Sequence, residues 1–183
     1  GKLALQLEAG SQRQGAIRLR IVRRLQKPTT SAVAQQALAD ALVPLLAADP
    51  DAAEELCHKD FIPDMSSAQE GARRGAALGI AAVVKGSGGL AAMKKLGTME
   101  LVKEYAATSG KTSAGKRQAT LFLLQALAQA LGRTFEPFAL ASMPLLLESC
   151  SDSSKDVQVA GRCAAKTVVS QVSTVGLRFL INP

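Results

Sequence analysis

The sequence predicts an all-α protein: a right-handed α-solenoid of about four helix pairs, part of a longer array. Three observations predict it. Alanine and leucine supply 57 of the 183 residues, and both are strong helix formers. Aromatic residues amount to only 3%, with no Trp and a single Tyr, too few for an aromatic-rich sandwich or barrel or for a base-stacking platform. Apolar residues recur at helical spacing in paired segments, and the pairs themselves recur about every 40 residues.

The first helix is read over 11–26, with Ile17, Ile21 and Leu25 on one face. Pro28-Thr29-Thr30-Ser31 breaks it, and Thr30 or Ser31 can cap a second helix over 32–48. Pro50 suits the first turn of a third helix, which should end at Phe61, ahead of Pro63. A fourth covers 68–85 and stops at Gly86-Ser87-Gly88-Gly89. Segments 90–96 and 98–108, divided by Gly97, precede a polar loop over 109–115 and the apolar helix 116–131, closed by Gly132. Helices over 135–149 and 156–173 complete the last pair, and Pro144 should kink the first of them. The expected units are therefore 11–48, 51–85, 89–132 and 135–173. Residues 176–183 read as the start of a further repeat in an excised piece of a longer protein.

Small residues recur in the second helices: Ala37, Ala76, Ala119 and Ala160 align at offsets close to 40, the period of HEAT or armadillo solenoids. Bulky side chains there would hold neighbouring helices apart. HEAT units often carry an Asp before the second helix and an Arg early in it. Asp152 and Asp156 fit the first position, but Gln158 stands at the second. Arg73, Arg74 and Arg117 recur at the starts of second helices, where they suit pairing between repeats.

No catalytic set emerges. Gly110-Lys111-Thr112 resembles the end of a phosphate-binding loop, but the required first glycine is Tyr105 and no strand precedes it. His58 is the only histidine, and its neighbour Cys57 diverges from it by about 100° on a helix. Cys57, Cys150 and Cys163 lack C-x-x-C spacing and read as small packing residues in a reducing compartment. Glu54 and Glu55 are expected in a first helical turn, where carboxylates favour the N-terminus. Phe61, Phe122, Phe135, Phe138 and Phe179 sit at core spacing. No uncharged run reaches the roughly 18 residues of a membrane span.

The net charge of +7, from 22 Lys/Arg against 15 Asp/Glu, is unevenly placed. Arg13, Arg20, Arg23, Arg24 and Lys27 share an arc of about 100° on the first helix, and no acidic residue interrupts 11–27. A second excess, nine basic to four acidic residues, runs from Phe61 to Arg117. Lys94, Lys95, Lys111, Lys116 and Arg117 are its most exposed members by pattern. Guanidinium and ammonium rows of this kind suit phosphate oxygens, and they also occur as plain solvated faces.

Ala72 to Gly86, Gly132-Arg133-Thr134-Phe135-Glu136-Pro137-Phe138 and Cys163 to Ser170 carry a closer likeness. In order and spacing, from about Ala41 to Ile181, they resemble the central region of the general control non-derepressible translational activator family. The N-terminal HEAT region of elongation factor three shares the F-E-P segment. The resemblance implies a non-catalytic cytoplasmic scaffold that lies on translating or stalled ribosomes. It also implies an ATP-binding-cassette partner and support for the amino-acid-starvation kinase of initiation factor two, which docks C-terminal to this region. On it, the ten basic residues named above become ribosome- or partner-binding candidates, and no cofactor or metal is implied. A structural spacer within a large solenoid, or an elongation-factor-three-like HEAT region, remains the alternative.

Overall fold

A computed structural model describes residues 2–181, with side chains for 12–176 and 178. Its helices are α1 (Lys2–Gln26), α2 (Ala32–Ala47), α3 (Pro50–Leu56), α4 (Ile62–Asp64), α5 (Glu70–Gly86), α6 (Leu90–Lys95), α7 (Thr98–Ala106), α8 (Ala114–Leu131), α9 (Glu136–Ser149), α10 (Lys155–Ser170) and α11 (Thr174–Ile181). A π-helical turn, Cys57–Phe61, joins α3 to α4, and 3₁₀ turns at Lys111–Ser113 and Gly132–Phe135 lead into α8 and α9. The described residues contain no strand.

The helices form two layers. The B layer stacks α2, α5, α8 and α10 side by side. The A layer, α1, α3–α4, α6–α7 and α9, covers it, and α11 packs on α9. Between the layers lies one continuous apolar core, in which Leu25, Leu42, Phe61, Ile80, Leu124 and Phe135 are fully buried. Local signals set the boundaries. Ser31 Oγ accepts the Ala34 N–H, Pro50 opens α3, and Gly132 ends α8 at φ 58°, a conformation that L side chains rarely adopt.

The α5 helix is buried along almost its whole length. Gly71, Gly75 and Gly79 lie one turn apart, and a Cβ on each would overlap Pro28, Leu25 and Phe61 respectively. These glycines let α5 seat directly against the end of α1 and against Phe61.

Several sequence expectations are corrected. The third helix does not stop before Pro63. The π turn widens the backbone, with the Ile62 N–H bonded to the Cys57 carbonyl, so the helix passes the proline and ends at Asp64. The buried face of α1 is rotated from the expected one. Arg18 turns inward to an ion pair with Asp49 (2.9 Å), Val22 and Leu25 are buried, and Ile17 is 44% exposed. Ala76, Ala119 and Ala160 are buried as aligned, but Ala37 is exposed, because α2 has a B-layer neighbour on one side only among the described residues.

Phe122 and Phe138 are half-buried, and the side chain of Phe179 lies outside the described residues. Cys57 is buried, but Cys150 and Cys163 are exposed and do not act as packing residues. Glu54 and Glu55 fall in the second turn of α3 and form ion pairs with Lys95 and Lys59, not with the helix N-terminus.

Candidate functional site

Polar links across the B layer bring its four helix starts together. Arg74 Nε donates to Gln35 Oε1 at 2.9 Å, joining α5 to α2. Gln35 Nε2 in turn donates to the carbonyls of Leu25 (2.8 Å) and Gly71 (2.7 Å). Arg73 is buried and donates to Gln118 of α8 and to the carbonyls of Ser67 and Ala68. Burial pushes the Arg73 pKa down from its usual value. Arg117 of α8 grips Asp152, just ahead of α10, through Nε–Oδ2 at 2.7 Å and Nη2–Oδ1 at 3.0 Å. That guanidinium holds the Asp152 carboxyl below the usual carboxylate range. The pairing between repeats expected of Arg73, Arg74 and Arg117 is thus present at all three.

These links set the N-termini of α2, α5, α8 and α10 along a single edge. Their macrodipoles point the same way, but α1, α7 and α9 end at the same edge with the opposite polarity, so the positive character of this edge comes from its side chains. The end of α1 and the turn after it lie on the same edge, since Leu25 and Pro28 touch Gln35 and Gly71.

The ten candidate basic residues divide accordingly. Arg23, Arg24 and Lys27 are exposed at this edge, and Lys111 and Lys116 are exposed beside the start of α8. The Lys116 ammonium sits 5.2 Å from the centre of the Tyr105 ring. Arg13 and Arg20 are exposed further back along α1. No ion pair engages any of these seven among the described residues. Lys94 is exposed near the opposite edge, as is Lys95, which is paired with Glu54 of α3. Arg117, 14% exposed and bound to Asp152, belongs to the internal ladder, not to the surface row. The two clusters of the sequence therefore regroup: part of each meets on one edge.

Sequence reasoning missed a groove across the B layer, with a volume of about 550 Å³, lined from all four of its helices. Val33 (82% exposed), Phe122 and Val159 (53% exposed) give it apolar walls. Phe122 is accordingly a groove residue and only partly a core one. No sequence signal marked it, because Val33, Phe122 and Val159 do not fall at equivalent repeat positions. Gly110 (φ 86°) and Lys111 form an exposed turn into α8. Among the described residues, no helix is long and apolar enough to cross a membrane, and no group of three His, Cys, Asp or Glu could hold a metal.

Comparison with known proteins places this architecture. The family model for the EF3 N-terminal HEAT repeat matches residues 73–183. Protein ILITYHIA of Arabidopsis thaliana is 35% identical over 153 residues, which cover 84% of this chain and 6% of that protein. The stalled ribosome sensor GCN1 of Mus musculus is 28% identical over 181 residues, covering 99% of this chain and 7% of that protein. The eIF-2-alpha kinase activator GCN1 of Saccharomyces cerevisiae is 29% identical over 186 residues, again 99% and 7%. No solved structure matches the chain significantly. The chain spans well under a tenth of these relatives, and the family match covers more than half of the chain. It belongs to the EF3 N-terminal HEAT-repeat family, as a homologue of GCN1.

Proposed function

We propose that this chain is a non-catalytic HEAT-repeat scaffold that associates with ribosomes in the cytoplasm, its units being 11–48, 51–85, 89–132 and 135–173. Within a longer protein it supports activation of the starvation-responsive kinase of initiation factor two, alongside an ATP-binding-cassette partner. Its relatives bear the names kinase activator and stalled ribosome sensor, and those names motivate this reading.

One observation carries the ribosome contact. Arg23, Arg24, Lys27, Lys111 and Lys116 are exposed on the edge to which four parallel helix N-termini point. These positive side chains then act on the same ligand, and backbone phosphates of RNA are the abundant ligand of that charge. Arg13 and Arg20 extend the row along α1, whereas Lys94, Lys95 and Arg117 take no part.

Amine-reactive crosslinking on purified ribosomes tests it. Lys27, Lys111 and Lys116 should crosslink to ribosomal components or be shielded by them, and Lys94 on the far edge should do neither. Equal behaviour at Lys94 and Lys111 would contradict the assignment. The spacer reading has its own test: unrelated HEAT units of equal length, exchanged for this segment, should abolish kinase activation if the edge matters.

A further inference from the structure

The basic edge is not one continuous row. Arg23, Arg24 and Lys27 flank the start of α2, Lys111 and Lys116 flank the start of α8, and α5 stands between the two helices. Two interhelical spacings of about 9 Å put the clusters roughly 18 Å apart. The span between them carries no free exposed charge. Ser66, Ala68 and Gln69 are exposed and neutral, Glu70 is paired with Arg74, and Asp60 and Asp64 are half-buried. Lys116 is held at the rim of this span, its ammonium over the Tyr105 ring, whose hydroxyl meets Ser66 Oγ at 3.0 Å. The Gln69 side-chain amide is unengaged among the described residues, and only its backbone is bonded, the N–H donating to Ser67 Oγ.

We infer that this edge grips double-stranded RNA across its minor groove, with one cluster on the phosphates of each strand and the Gln69 amide on a 2′-hydroxyl between them. The inference rests on the phosphate contact proposed above and names its ligand. Single strands are held by stacking as well as by charge, and no Phe or Tyr ring is exposed among the described residues. A single strand laid along the edge would also cross the neutral span without an ionic contact. A-form RNA presents a wide, shallow minor groove lined with 2′-hydroxyls, and short side chains reach its floor. In B-DNA the minor groove is only about 6 Å wide and the major groove about 8.5 Å deep. The first is too narrow for clusters so far apart, and the second is too deep for Ser66, Ala68 and Gln69.

Fluorescence anisotropy on the whole chain tests this with three probes: duplex RNA of about 16 base pairs, duplex DNA of the same sequence, and an oligouridylate of the same length. Duplex RNA should bind about fivefold tighter than duplex DNA, the factor of one net hydrogen bond, and at least about tenfold tighter than oligouridylate. Gln69→Ala should bring the two duplexes to equal affinity and leave the salt dependence unchanged, because no charge is lost. Reversal to glutamate of either cluster alone, Arg23, Arg24 and Lys27 or Lys111 and Lys116, should erase the preference for duplex over single strand, since one strand then goes unheld.

All six positions are exposed, so folding is preserved and is checked by circular dichroism. Duplex DNA or oligouridylate bound as tightly as duplex RNA would overturn the inference and leave the phosphate contact standing. An unchanged ratio of RNA to DNA affinity in Gln69→Ala would do the same. Failure of all three probes to bind would overturn both.

Discussion

Arg117 meets Asp152 in a two-point ion pair, Nε–Oδ2 at 2.7 Å and Nη2–Oδ1 at 3.0 Å, with both side chains less than 15% exposed. The same guanidinium donates from Nη1 to the Thr108 (3.2 Å) and Gly110 (2.9 Å) carbonyls. One side chain thus fixes the loop before α8, α8 itself and the entry to α10. Loss of either partner leaves the other desolvated and unpaired. Arg117→Ala and Asp152→Ala are each expected to lower stability by about 2 kcal/mol in urea unfolding. Arg117→Lys should recover little of it, since an ammonium cannot reproduce the planar fork. The double variant should cost less than the sum of the single ones.

The same pair sets the acid response. Arg117 lowers the Asp152 pKa and Arg18 lowers that of Asp49. A carboxyl with a lower pKa in the folded than in the unfolded state contributes stability that is fully present above the unfolded value, near 4. That contribution is lost as pH falls through the folded value. Urea midpoints should hold between about pH 6 and 7 and fall below about pH 4. Asp152→Asn should flatten that fall, and an unchanged profile would contradict the assignment.

Glycine positions in α1 and α5 should respond oppositely to alanine. A Cβ at Gly75 would overlap the Leu25 carbonyl oxygen, whereas Gly15 has nothing within 4 Å of the same position. Gly75→Ala is expected to destabilise by about 2–3 kcal/mol, as overpacking against backbone does. Gly15→Ala should stabilise by up to about 1 kcal/mol through helix propensity. Thermal melts of the two variants separate these effects.

Thiol titration of the native protein should find two reactive cysteines of three. Cys150 and Cys163 are exposed, and burial keeps Cys57 inaccessible and pushes its pKa up to about 12. The third thiol should react only after unfolding, and immediate reaction of all three would contradict the packing around Cys57.

The layered helical plan was legible because its signals are local: Ser31 as a cap, Pro50 as a first-turn residue, Gly132 as a stop, and alanines at repeating positions. Where the sequence misled, a distant partner decided. Arg18 turns inward because Asp49, 31 residues away, meets it there, which displaces Ile17 from the core face. Pro63 is tolerated because a π turn upstream supplies the room. Charge counting located the basic residues but could not tell Lys116, which is exposed, from Arg117, whose carboxylate comes from another helix pair. The groove was invisible for the same reason, being formed only when four helices stand side by side.

The central claim is that one edge of this solenoid binds ribosomes through phosphate contacts, and salt-dependent co-sedimentation tests it most directly. Each phosphate contact contributes about 0.7–0.9 to the slope of log affinity against log salt concentration. Binding should therefore weaken steeply as salt rises. Reversal of Arg23, Arg24, Lys27, Lys111 and Lys116 to glutamate should flatten the slope by about 4, while Lys94→Glu should leave it unchanged. A salt-independent affinity, or one insensitive to the five reversals, would contradict the account.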